Sequence, residues 1–447
     1  MREAAPRLLT RDQLSWLAVL RADRDNILAA LRYWCDADDA GNALSLAISL
    51  SVMALLLGND TEMAEWIGDA LAVPGEADPA LRAMAEALHV ITSFMVPTAA
   101  GGGGAAGTYP GLIERLDTLD IEKHPVAGLL RPVFAMFAND EGRLRAYLDQ
   151  ARASRDEWLV AATWMMTAGL AENNGNLTEM RVAAAEAVER FRAVGERWGL
   201  SSALRTVGNV GLLDGDLDGA IAAYTEAGRL LAEIGHREDM SQVQLRLAEI
   251  AARQGDLVKA RELSAGARSA AESEGSQIDR GIAVAWWAGF EATWGDVDAA
   301  RPLHAETERL LARFSPAHPV REHLEAGAAT TGAMIALADG DVGIAREQAA
   351  RAYRAAVSAQ DMPLLALASG AVAELAFMLG QHERAAELLG AGTVVRGAED
   401  PTDPTALKLA PLLRAALGPG RYEAAYESGR ELSRPAAIER LDPAGLD

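Results

Sequence analysis

Cysteine, lysine and aromatic residues are scarce in this chain of 447 residues. The only cysteine is Cys35, which excludes an internal disulfide and a metal site built from several cysteines. The formal net charge of −22 disfavours nucleic acid as a direct partner, because phosphate binding needs a basic face. Arg2, Arg7 and Asp12 interrupt the N-terminus, which therefore lacks the pattern of a signal peptide. We expect a cytoplasmic protein.

Long apolar runs are also missing. The longest apolar stretch, around Leu44 to Leu57, contains serines and looks too short and too polar to span a bilayer. The sequence therefore predicts no membrane association.

Nucleotide-binding motifs are absent from the sequence. A P-loop needs glycine followed by lysine, and none of the three lysines (Lys123, Lys259 and Lys408) follows a glycine. The glycine run at 101–104 lacks the preceding strand of a phosphate-binding loop. We expect no cofactor.

Other catalytic patterns have a simpler structural explanation. The string Asp36-Ala37-Asp38-Asp39 supplies an acid in some helical cyclases, but a loop that caps the next helix is the favoured interpretation. His318 and His323 are five residues apart, which is the wrong spacing for two zinc ligands on one helical face. Cys35 lies in a predicted apolar helix, where thiols are usually inert. We expect no enzymatic activity and no metal.

What the chain does have is a repeat. Six turns recur at intervals of about 40 residues. Each consists of glycine followed by Asn, Asp or Gln, and the glycines are Gly175, Gly215, Gly255, Gly295, Gly340 and Gly380. A glycine can end one helix in the left-handed conformation, and the following Asp or Asn can cap the next helix. This period predicts stacked helical hairpins.

Small residues recur in register with these turns. Five turns have alanine five residues after the glycine, as in Ala220 and Ala385, whereas the first has Met180. Seven residues before each glycine lies alanine or, at Gly208, glycine. This pattern is typical of tetratricopeptide (TPR) repeats, although their usual period is about 34 residues. The sequence predicts an all-α, right-handed superhelix of TPR-like hairpins with a period of about 40 residues.

We divide the chain into four segments by the strength of this pattern. They are an N-terminal helical segment at 1–94, a loop with irregular repeats at 95–150, regular repeats at 151–392, and a C-terminal cap at 393–447. Gly58-Asn59, the run 101–104 and Gly142 are weaker turn candidates in the first half. Pro401, Pro404 and Pro411 mark a break before the cap.

The first helix of each pair lines the concave face of a TPR superhelix, so register predicts a binding groove. The predicted groove residues are Met165, Arg205, Asn209, Leu212, Gln242, Leu245 and Glu249, with Glu172, Ser202, Met334, Leu337, Glu374 and Phe377 beside them. Asn209 and Gln242 could grip a peptide backbone, and Arg205 could fork onto a carboxylate. The alternative is a solvated groove of ordinary helix-surface residues.

Five tryptophans leave a similar choice open. Trp158, Trp164, Trp286, Trp287 and Trp294 lie at positions expected to pack between hairpins. Core packing is the favoured interpretation, with a groove-lining role for one or two of them.

Both ends of the chain resemble one family. Residues 20–34 read LRADRDNILAALRYW, and this segment is similar to the one that opens the TPR region of large actinobacterial regulators. Residues 385–396 (AAELLGAGTVVR) and 421–433 (RYEAAYESGRELS) resemble their closing segment. The regulators are the AfsR-like, antibiotic-regulatory-protein (SARP) type and their LuxR-type relatives, which carry a STAND ATPase core.

The resemblance implies a sensor and oligomerisation module that is part of a longer transcriptional regulator of secondary metabolism. Its partners would be a protein, peptide or small-molecule effector in the groove and the ATPase and DNA-binding domains of the parent, and it could form a homo-oligomer. The alternative is a stand-alone TPR adaptor or peptide receptor.

Overall fold

The computed structural model describes residues 1, 3–57, 60–95, 109–119, 127–138, 140–274, 277–315 and 318–446. All regular secondary structure in these ranges is helical, which confirms the predicted all-α class. The helices are α1 (Ala4–Leu8), α2 (Gln13–Ala22), α3 (Arg24–Asp36), α4 (Ala40–Leu57), α5 (Asp60–Ala72), α6 (Pro79–Met95), α7 (Tyr109–Thr118), α8 (Ala127–Phe137), α9 (Glu141–Arg152), α10 (Glu157–Asn173), α11 (Leu177–Val194), α12 (Arg197–Asp214), α13 (Leu217–Ile234), α14 (Glu238–Arg253), α15 (Leu257–Glu274), α16 (Gln277–Thr293), α17 (Val297–Leu311), α18 (Pro319–Asp339), α19 (Val342–Ser358), α20 (Met362–Met378), α21 (His382–Arg396), α22 (Pro404–Leu417), α23 (Pro419–Arg430) and α24 (Arg434–Arg440).

Helices α10 to α21 form the six predicted hairpins. Five of the six turn glycines have φ between 60° and 84°, in the left-handed region, and Gly295 is the exception. Asp216 accepts a hydrogen bond from the backbone N–H of Gly219 at 3.0 Å, and four of the other five turns are capped in the same way. The glycine-and-cap logic of the repeat is therefore confirmed, whereas the predicted handedness remains a prediction.

The small repeat positions are buried between helices. Ala220, Ala260, Ala300, Ala345 and Ala385 are fully buried. At Gly208, a Cβ atom would lie 2.7 Å from the ring of Tyr224, which is itself fully buried. A side chain at this position would displace the tyrosine.

The first half departs from the expected turns. Gly142 lies inside α9 rather than in a turn, because Asp140 caps that helix by accepting from Arg143 N at 2.9 Å. Within the predicted segment at 95–150, Met95 ends α6 and Tyr109 begins α7. Gly58-Asn59 and the run 101–104 lie outside the described residues.

Packing groups the chain into two compact units. Unit 1 comprises Met1–Thr167, Val182–Arg205 and Glu226–Met240, and unit 2 comprises Ala168–Arg181, Thr206–Thr225 and Ser241–Asp447. This grouping does not follow the four segments predicted from the sequence, and their boundaries remain a prediction.

In unit 1, α4 is more apolar than the sequence expectation allowed. It has 18 residues and a mean hydropathy of 1.9, so by length and composition it could cross a membrane, and the expectation of too short and too polar a stretch was wrong. Most of the helix is nevertheless buried against α1, α3, α5 and α6. It packs as a core helix.

Unit 1 also contains a buried carboxylate at the start of α12. Glu196 is completely inaccessible and accepts hydrogen bonds from Gln13 Nε2 and Trp198 N, both at 2.6 Å, and from Gly199 N at 2.7 Å. Burial raises the pKa of this carboxyl, against the opposing effect of these donors. Gln13 thereby connects α2 to the N-terminus of α12.

In unit 2, the last helices pack against the preceding hairpins. Tyr422 and Leu441 lie in the same core cluster as the alanines of α18 to α21. A Cβ at Gly390 would overlap the backbone of α23, and a Cβ at Gly429 would overlap that of α21, so two glycines let these helices touch. The two closing motifs are thus packing partners. Pro411 lies inside α22 and marks no break.

Candidate functional site

One side of α14, in unit 2, carries a stripe of four polar side chains. Gln242, Arg246, Glu249 and Arg253 follow one another at intervals of four, three and four residues, which places them on one side of the helix. We call this stripe, together with Glu172, Asn209 and Trp286, the α14 face. Gln242 is half-buried, and its amide has no hydrogen-bond partner among the described residues.

Two arginines flank Glu249 along the stripe. Its carboxylate is 3.1 Å from Arg246 Nη1 and 2.7 Å from Arg253 Nη2. The Glu249 side chain is only 13% exposed. Burial alone would raise the pKa of Glu249, but the two guanidinium groups outweigh it and hold the pKa below its ordinary value. The carboxylate is therefore charged at neutral pH and fixes both arginines.

The first helices of the two preceding hairpins, α10 and α12, are joined by a chain of hydrogen bonds beside this stripe. Asn209 on α12 donates from Nδ2 to Glu172 on α10 at 2.7 Å, and its Oδ1 accepts from the hydroxyl of Tyr224 on α13. An asparagine held on both sides has a fixed orientation. It is pre-organised by its neighbours.

Trp286 on α16 forms the apolar edge of the α14 face. The guanidinium carbon of Arg246 lies 4.4 Å from the centroid of its ring, which is a cation–π arrangement. A planar cation over an indole presents both an apolar surface and hydrogen-bond donors.

A segment after α21 supplies partners for the end of the stripe. Arg253 Nη1 contacts Asp400 at 2.9 Å and also donates to Thr402. Nearby, Arg396 Nη2 lies 2.7 Å from Asp403. The Asp400 side chain is 3% exposed, so the Arg253–Asp400 ion pair is buried.

The structure brings together only part of the predicted groove. Asn209, Gln242 and Glu249 belong to the α14 face in unit 2. Leu212 and Leu245 are 4% and 2% exposed, so their predicted exposure in a groove is corrected to burial. Leu245 faces α15 and α16, where it packs with Ala267, Ala283 and Trp286.

Two predicted groove residues lie in unit 1. Arg205 Nη1 forms an ion pair with Asp239 at 2.8 Å, and Asp239 also accepts from Trp198 Nε1 at 3.1 Å. Met165 is half-buried on α10.

The five tryptophans differ in their burial and in their neighbours. Trp158 is 3% exposed, and Trp287 and Trp294 pack against the cluster around Phe290. Trp164 and Trp286 are half-buried, and each lies beneath an arginine.

Two of the residues weighed as catalytic or metal-binding candidates cap helices. Asp39 accepts from the backbone N–H of Asn42 at 3.0 Å, which is the capping role favoured by the sequence. His318 caps α18 by accepting from Val320 N at 3.2 Å. Burial raises the pKa of the Cys35 thiol. Among the described residues, the acidic, histidine and cysteine side chains form no group of three that could hold a metal ion.

Four residues that form ion pairs or hydrogen bonds at the α14 face were not predicted from the sequence, for two different reasons. Arg246 and Arg253 stand three and four residues from Glu249, and this helical spacing could have identified them. Asp400 and Thr402 are almost 150 residues away from Arg253 along the chain, and no local pattern connects them.

The architecture resembles solved helical proteins. A Rap protein in complex with Competence and Sporulation Factor has a TM-score of 0.53 at 12% identity, covering 88% of this chain and 99% of that one. A STAND protein with a tetratricopeptide repeat sensor from Pyrococcus horikoshii has a TM-score of 0.41 at 14% identity, covering 86% of this chain and 55% of that one. No protein-family model and no curated protein matches the sequence. The fold is an all-α array of TPR-like hairpins.

Proposed function

We propose that the α14 face of unit 2 binds an extended peptide segment of a partner or effector. The observation that carries the proposal is the half-buried Gln242 amide, which has no hydrogen-bond partner in the part of the chain that the structure describes. It lies on the same stripe as the fixed pair of Arg246 and Glu249. An amide of this kind can pair with a peptide backbone, and a guanidinium can fork onto a carboxylate. Trp286 adds an apolar contact.

Pre-organisation favours binding at this face. Glu249 holds Arg246 and Arg253, and Glu172 holds Asn209, so a ligand would not have to order these long side chains. Each rotamer-rich side chain that is already immobile saves about 0.5–1.5 kcal/mol on binding. The Rap protein of similar fold was solved with a bound factor, and we propose that this chain likewise receives one.

We further propose that the chain is the sensor and oligomerisation module of a STAND-type regulator of secondary metabolism. The support is the resemblance of residues 20–34 and 421–433 to AfsR-like regulators. Binding at the α14 face would favour one arrangement of the ATPase, which would then control the DNA-binding domain. In this role the chain itself performs no chemistry.

The regulator proposal is tested in the parent gene. We expect that deletion of this region, with the ATPase left intact, abolishes signal-dependent activation of the target promoter. Unchanged, signal-dependent activation would overturn the sensor role.

A stand-alone peptide receptor is the second candidate. The observation in its favour is the 99% coverage of the Rap protein, whose whole length matches this chain in fold. Sequencing upstream of the first codon distinguishes the two, because a continuous frame that encodes a P-loop would favour the regulator.

A further inference from the structure

A cavity of about 320 Å³ in unit 2 is lined mainly by arginine. Its lining residues come from α15, α16, the end of α17 and the turn after α17, and they are Arg268, Arg280, Glu306, Arg309, Leu310 and Arg313. Four guanidinium groups around one small cavity stand out in a chain with a formal charge of −22. The cavity is separate from the α14 face.

Glu306 fixes two of these arginines. Its carboxylate lies 2.6 Å from Arg280 Nη2 and 3.1 Å from Arg268 Nη2, and its side chain is only 13% exposed. Glu272 contacts the same two arginines, at 3.0 Å from Arg268 and 3.6 Å from Arg280. Because each guanidinium carries five N–H donors, both arginines retain donors beyond those that these carboxylates engage.

The other two arginines are exposed. Among the described residues, Arg313 donates only to the neutral side chain of Gln277, at 3.3 Å, and Arg309 has no ion-pair or hydrogen-bond partner. The four arginines carry four positive charges, and Glu306 and Glu272 carry two negative charges. These six described residues therefore have an excess of two positive charges. A phosphate monoester carries about −1.5 to −2 charges at neutral pH, which matches that excess.

We propose that this cavity binds the phosphate group of a small phosphorylated molecule. Arginine forks match phosphate oxygens in pairs, and Leu310 offers an apolar contact for the organic part. The volume lies at the lower end of the range for small-molecule pockets, about 300–1,000 Å³.

Isothermal titration with phenyl phosphate tests the proposal, with succinate as the second probe at the same ionic strength. The test variant is Arg309→Gln/Arg313→Gln, because both side chains are exposed and their removal should leave the fold intact. Arg237→Gln/Arg354→Gln removes the same charge at exposed positions outside the cavity and is the control. A melting temperature for each variant verifies folding.

We expect saturable binding of phenyl phosphate that is weakened by about tenfold or more in the test variant and unchanged in the control. The absence of saturable binding to the wild-type protein would overturn the proposal. Equal weakening by both variants, or unweakened binding in the test variant, would place the anion elsewhere and also overturn it. Equally tight binding of succinate would reject the phosphate class. None of these outcomes bears on peptide binding at the α14 face.

Discussion

Asn209 Nδ2 donates to the carboxylate of Glu172 at 2.7 Å and so joins the first helices of two successive hairpins. Tyr224 donates to the other side of the same amide. The position predicted to grip a ligand is therefore also part of the structure that aligns α10 with α12. A ligand that contacts Asn209 would therefore also act on the register of these two helices.

We expect Asn209→Ala to lower the free energy of unfolding by about 1–3 kcal/mol, because it leaves the Glu172 carboxylate and the Tyr224 hydroxyl without this partner. Chemical denaturation followed by circular dichroism measures the change. Asn26→Ala, at an exposed position on α3, is the matched control and should have little effect. Similar stabilities for the two variants would contradict the structural role of Asn209.

Two glycines should respond to alanine with opposite signs. At Gly208 a Cβ would lie 2.7 Å from the Tyr224 ring, so Gly208→Ala should destabilise by about 1–3 kcal/mol. At Gly169 on α10 a Cβ would meet nothing within 4 Å, so Gly169→Ala should stabilise by up to about 1 kcal/mol through helix propensity. A Gly208→Ala variant at least as stable as the wild type would contradict this packing of α12 against Tyr224, and a Gly169→Ala variant less stable than the wild type would contradict the open space at Gly169.

The turns and packing of the hairpins were largely readable from the sequence because their causes are local. A left-handed glycine, a capping Asp and a buried alanine all act within a few residues, and each recurs at four or five of the six turns. The first half lacks that repetition, so Gly142 was mistaken for a turn although Asp140 caps the helix that contains it.

The site was only partly predictable because half of it depends on distant residues. Helix periodicity places Gln242 and Glu249 on one stripe, but it could not show that Leu245 is covered by α15 and α16. The contact of Arg253 with Asp400 joins residues 147 positions apart. Such pairs arise from the packing of the whole unit.

The buried pair of Arg253 and Asp400 should be costly to break. Arg253→Met would leave the carboxylates of Asp400 and Glu249 without that cation, and we expect a loss of about 3–5 kcal/mol in unfolding free energy. Arg301→Met removes a pair with Asp339 that is exposed to water, and it should have little effect. Adding Asp400→Asn to Arg253→Met should recover part of the loss. A double variant no more stable than Arg253→Met would contradict a direct interaction.

Asp403 should contribute to the acid sensitivity of the protein. Burial would raise its pKa, but Arg396 at 2.7 Å outweighs this and holds the pKa below its usual range. A depressed pKa stabilises the fold above the unfolded value of about 3.9, and this stability is lost as the pH falls through the folded value. Asp403→Asn keeps the cap on Ala406 N, so we expect a lower melting temperature at pH 7 and a smaller difference from wild type at pH 3.

Asp341→Asn is the control for this pH experiment. Asp341 caps α19 through Ile344 N and has no arginine partner among the described residues. Its substitution should change the melting temperature little at either pH. A loss at pH 7 as large as that of Asp403→Asn would assign the effect to capping rather than to Arg396.

Peptide binding at the α14 face is tested most directly by selecting a displayed random-peptide library on the full chain and measuring the affinity of each selected peptide. The test variant is Gln242→Ala/Arg246→Ala, and the control is Gln254→Ala/Arg354→Ala, which changes the same residue types at exposed positions. The account predicts peptides that lose about tenfold or more in affinity on the test variant alone. Selected peptides that bind both variants as well as the wild type, or no selected peptide at all, would contradict it.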